Sequence, residues 1–64
     1  MKFPFTYHSN YDHNVICAYL NDNYQVVDLE AWDEVQQRWI TIPDNTNLYA
    51  EYIADLHTEL DEIQ

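Results

Sequence analysis

The chain contains no glycine among its 64 residues. That absence excludes glycine-rich phosphate loops and the dinucleotide-binding fingerprint, which need glycine where the backbone approaches a phosphate. It also removes the residue that adopts positive φ at least cost, so tight turns are expected to use Asn and Asp. Basic residues are almost as scarce. Lys2 and Arg38 stand against twelve Asp and Glu, for a formal net charge of −10. Two bases cannot neutralise twelve acids, so most carboxylates must face water or a partner. Such a field disfavours DNA, RNA and anionic membranes as direct ligands and attracts cations, basic peptides or basic grooves. Cys17 is the one cysteine, which excludes an internal disulfide framework and makes a reducing cytoplasm the simplest home. No apolar run approaches the roughly 18 residues of a membrane span. Phe3-Pro4-Phe5 is too short for the apolar segment of a signal peptide.

What is present is a core. Acidic chains poor in aromatics read as disordered, but this one is 16% aromatic and 47% hydrophobic. Its length fits a single domain, residues 1–64, near the lower limit for unaided folding. Residues 1–42 have strand character. Phe3, Phe5 and Tyr7 alternate with Pro4, Thr6 and His8, and Pro4 suits an edge strand because it lacks an N–H. Val15 to Leu20 and Tyr24 to Trp32 flank Asn21-Asp22-Asn23. A two-residue turn at Asp22-Asn23 would place Ala18 opposite Val27 and Ile16 opposite Leu29, with Ile16, Ala18, Leu20, Val27, Leu29 and Ala31 on one face. A second hairpin would pair Trp32 with Trp39, Ala31 with Ile40 and Asp33 with Arg38. Residues 45–64 change to helical period. N-cap candidates stand at 44–46, and Tyr49, Tyr52, Ile53, Leu56, Leu60 and Ile63 form one apolar stripe. The expected fold is α+β: an antiparallel three- or four-stranded meander covered on one face by a C-terminal helix.

Two surfaces exceed what that fold needs. Glu51, Asp55, Glu59 and Glu62 fall at spacings of four, four and three, an acidic ridge expected on the outer face of the helix. Like charges at i,i+4 each cost a helix about 0.2–0.5 kcal/mol, and acids in the last turn oppose its dipole. The bland reading is a soluble surface; the functional one is a ridge shaped for a basic groove. The second surface is the other side of the sheet, where the expected register collects Cys17, Tyr19, Val26, Asp28, Glu30, Trp32, Trp39 and Thr41. Either the N-terminal segment folds over this face, or the rings only stiffen the hairpin, or the face is an interface. Aromatics mixed with carboxylates suit arginine-rich partners.

Catalytic and metal chemistry finds little support. His8, Asp12, His13 and Cys17 are the nearest approach to a ligand set, and they complete no zinc pattern. No cofactor, metal or enzymatic activity is expected. In size, charge and aromatic content the chain resembles the small acidic proteins with which phages oppose host enzymes: anti-CRISPR proteins, anti-restriction proteins and uracil-DNA glycosylase inhibitors. The resemblance is compositional and carries over no residues. It implies a non-catalytic inhibitor in the host cytoplasm that binds the basic nucleic-acid site of a host protein. Glu51, Asp55, Glu59, Glu62, Asp28 and Glu30 would replace phosphates, with Trp32, Trp39 and Tyr19 as anchors. The alternatives are an immunity or antitoxin protein that neutralises a basic toxin, and an adaptor that forms homodimers or larger oligomers through its aromatic sheet face.

Overall fold

The computed structural model describes residues 2–63. Four strands precede one helix: β1 (Phe3–His8), β2 (Val15–Leu20), β3 (Val26–Asp33), β4 (Arg38–Thr41) and α1 (Asn47–Ile63). The strands pair in sequence order as an antiparallel meander, β1-β2-β3-β4. The fold is therefore the expected α+β sheet and helix, with four strands. The Ile63 side chain and Gln64, the far ends of the expected stripe and helix, lie outside the described residues.

One face of the sheet carries the core. Tyr7, Ile16, Ala18, Leu20, Leu29 and Ala31 meet Tyr52 and Leu56 of α1, and Phe5, Val26, Ile42, Leu48, Tyr49, Ile53 and Leu60 pack around them. β1 does not fold over the opposite face, as one reading of the sequence had it. Phe5 opposes Ala18 and Tyr7 opposes Ile16, and directly paired residues share a face. Both rings are thereby committed to the core, and Pro4 sits in an edge strand.

The first hairpin differs from expectation, and the difference is informative. Ala18 faces Leu29 rather than Val27, and Ile16 faces Ala31 rather than Leu29. Two one-residue displacements produce this shift. The turn is a three-residue loop, closed by Asn21 N–H to Gln25 C=O at 2.9 Å and Tyr24 N–H to Asn21 C=O at 3.0 Å. A bulge then interrupts the register between Tyr19 and Leu20, so that Leu20 faces Val26 and Val27 is the extra residue. Each step alone would turn the apolar set of β3 to the wrong side; together they restore it. Val26, expected on the second face, packs against the core, whereas Val27 is 53% exposed. The expected type I′ turn needs positive φ at two residues, while this loop needs it at one. In a chain without glycine the one-residue solution costs less.

All three strand connections share a plan. A side-chain oxygen near the start accepts amides further along: Ser9 Oγ from Tyr11, Asn21 Oδ1 from Asn23 and Gln25, Asp33 Oδ1 from Val35 and Gln36. A left-handed residue near the end reverses the chain: His13, Tyr24 and Gln37, with φ of 61°, 62° and 57°. Asn and Asp thus serve as turn acceptors, and other residue types occupy the positive φ they were expected to fill. The second hairpin has the expected register, with Trp32 opposite Trp39, Ala31 opposite Ile40 and Asp33 opposite Arg38. Thr46 caps α1, its Oγ accepting from Tyr49 N–H at 3.3 Å.

Replacing His13 by glycine relieves a left-handed residue whose conformation costs about 1–2 kcal/mol, so His13→Gly is expected to raise the melting temperature by several degrees. His13→Val is expected to lower it, because a β-branched residue is least tolerated at positive φ. A thermal melt of both variants checks this.

Candidate functional site

The acidic ridge is only partly a free surface. Asp55 lies on the flank of α1 that faces the β1–β2 turn. Its Oδ2 accepts from Ser9 Oγ at 2.7 Å and from Asn10 N–H at 3.1 Å. Ser9 is the one described polar residue that is fully buried, at 1% exposure. Two further bonds tie the same helix to β1 and to that turn: Tyr7 OH donates to Tyr52 C=O at 2.8 Å, and Tyr52 OH donates to Asp12 Oδ2 at 2.6 Å. Asp55 and Asp12 are therefore structural acceptors. Glu59, the next residue of the ridge, is half-buried, and Glu51 and Glu62 are exposed. The helical spacing alone hid this division. The readable signal for it was Ser9 within a polar turn, a residue type that needs an acceptor when buried.

This network lifts the phenols. Burial, more than any neighbour, pushes Tyr52 up to about 12 from 10.0, and its bond to Asp12 adds to the shift. Tyr7 is raised further, again chiefly by burial, with the Asp55 carboxylate second.

The opposite face of the sheet is open, since α1 lies on the core side and no described element covers the other. Across it run the rows Pro4–Tyr19–Asp28 and Thr6–Cys17–Glu30–Thr41, and beyond them Trp32 pairs with Trp39. The two indoles meet edge to face at 5.3 Å between centroids, and Trp39 remains 39% exposed. Trp32 Nε1 donates to Glu34. Lys2 Nζ sits 5.3 Å from the centroid of the Tyr19 ring. Asp28, Glu30, Tyr19 and Trp32 are half-buried, so this face brings together five of the nine residues that the sequence singled out. Cys17 is buried between the strands, and that burial raises its thiol; the Glu30 carboxylate adds to the effect against a hydrogen bond with Tyr19. A thiol held neutral is a poor nucleophile.

A cleft of about 330 Å³ opens between the β3–β4 hairpin and α1, lined by Ala31, Trp32, Asp33, Ile40, Leu48 and Tyr52 among others. His8, Asp12, His13 and Cys17 do not assemble: no group of three or more potential metal ligands exists among the described residues. None of the helices described is long and apolar enough to cross a membrane. No protein-family model, curated protein or solved structure matches the chain.

Two outcomes follow for stability. Asp55→Ala removes the acceptor of the buried Ser9 hydroxyl, and it is expected to cost about 1–3 kcal/mol in chemical denaturation, with Asp55→Asn milder because it keeps an acceptor. The alkaline limb follows from Tyr52, whose folded pKa exceeds its unfolded one. Its contribution is complete below pH 10 and is lost as pH rises through about 12. Denaturation midpoints measured across that window should fall, and Tyr52→Phe should flatten the fall.

Proposed function

We propose that this chain is a non-catalytic inhibitor that occupies the basic nucleic-acid-binding site of a partner protein, presenting carboxylates where phosphates would lie. The partner would be a CRISPR effector, a nuclease or another enzyme acting on DNA or RNA. The observation that carries this reading is charge density. The folded body measures 33 × 24 × 21 Å and holds a net charge of −10. One strand of a duplex places a phosphate every ~3.4 Å, hence about ten along the same 33 Å. With Asp55 engaged internally, the ridge is carried by Glu51, Glu59 and Glu62, and Asp28 and Glu30 add charge on the sheet face. A compartment that keeps Cys17 reduced, such as the cytoplasm, fits this use.

A second reading is an adaptor that oligomerises through the open sheet face. The exposed Trp39 beside Trp32 favours it. Light scattering separates the two, because a tight dimer supports the adaptor and a monomer the inhibitor.

The test is capture from host lysate on the immobilised domain, followed by identification of the bound protein and competition with its nucleic acid. The inhibitor reading expects release between about 50 and 300 mM salt, since exposed charge pairs are screened over that range. It also expects displacement of the nucleic acid, and at least about tenfold weaker binding for Glu51→Lys with Glu62→Lys. Asp55 is left intact in that variant so that the fold survives. Capture insensitive to both salt and charge reversal would sink the reading.

A further inference from the structure

We propose that the open sheet face is an arginine-docking surface, on which Asp28 and Glu30, set among the rings of Tyr19, Trp32 and Trp39, receive guanidinium groups from an extended basic segment of the partner. The inference rests on the partner being basic, and it adds which face meets the partner and which cation that face selects. Residues two apart along β3 share a face, so Asp28, Glu30 and Trp32 stand in line, acid, acid, ring. Their spacing is about 6.6 Å per step, which matches alternate side chains of an extended chain lying alongside.

The face already holds one cation of its own. Lys2 sits over the Tyr19 ring at 5.3 Å, at the end of the sheet away from the tryptophans. The chain's other Lys or Arg, Arg38, opposes Asp33 and so alternates to the core side of the sheet. Glu30 meanwhile faces Cys17 on one side and Thr41 on the other, neither of which brings a positive charge. An acid between rings is a better site for arginine than for lysine. The planar guanidinium grips a carboxylate through two N–H groups and stacks on an aromatic face, whereas the ammonium is a compact, strongly hydrated point charge.

Both tryptophans of the chain lie in this face, so intrinsic fluorescence reads its occupancy. The probes are an octa-arginine and an octa-lysine peptide, titrated into the intact domain. Octa-arginine is expected to perturb the emission and to bind about tenfold more tightly than octa-lysine. Glu30→Gln and Trp39→Phe, both keeping their melting temperature, should bring that ratio close to unity. Glu51→Gln with Glu62→Gln should weaken both peptides together and leave the ratio intact. Equal binding of the two peptides overturns the proposal, as does a ratio that survives Glu30→Gln. So does a dimer whose formation shields the tryptophans from acrylamide, since a second copy would then cover the face. A retained arginine preference in a domain that displaces no nucleic acid sustains the proposal and removes the inhibitor reading instead.

Discussion

The fold depends on how α1 is held to the sheet. Tyr52 and Leu56 are almost fully buried, and together with Ile16, Ala18, Leu20 and Leu29 they make the centre of the core. Apolar contact is non-directional and leaves the helix free to slide or rotate. Direction comes from three hydrogen bonds gathered at the end of β1 and the turn after it: Ser9 to Asp55, Tyr7 to the Tyr52 carbonyl, and Tyr52 to Asp12. Each joins residues at least 40 positions apart in sequence. Two of the acids thereby become parts of the scaffold. In a body whose net charge works against compactness, each such carboxylate is repulsion converted into a tie.

Where the sequence was legible, one physical signal dominated. Alternation marked the strands, and the change to a 3.6-residue period marked α1, because burial on one side imposes both. The β3–β4 register was legible too, since the matched tryptophans and the apolar partners Ala31 and Ile40 allow only one pairing that keeps the core on one side. The β2–β3 register was not. Its turn is governed by Asn21, whose side chain closes the loop, and nothing in the alternation announces a bulge at Val27. The left-handed residues were hidden for a related reason. Backbone geometry selects positions in a turn, and Tyr24 and Gln37 occupy them although their side chains have no preference for them; of the three, only His13 is of a type enriched there.

The candidate site shows the same division. Spacing along a helix identifies neighbours but not which flank meets the sheet, so Asp55 resembled Glu51 and Glu62 until the β1–β2 turn was placed beside it. The sheet face was easier to read, because side-chain period 2 assigns faces without knowledge of the partner strands, and only Val26, beside the bulge, was assigned to it wrongly. It is the chemically more varied of the two surfaces. The ridge offers charge alone, whereas the sheet face offers charge and rings in a fixed lattice, with a lysine already resting on one of them.

The paired irregularity of the β2–β3 hairpin has a consequence for how this chain can change through time. The bulge is one residue of slack. Removing Val27, or removing one residue of the Asp22–Tyr24 loop and drawing Gln25 into the turn, leaves Tyr19 facing Asp28 and Ala18 facing Leu29. A single deletion in this hairpin therefore keeps the apolar side of β3 inward, whereas a second must shorten the turn itself. Relatives of this domain should differ here by one residue more readily than by two.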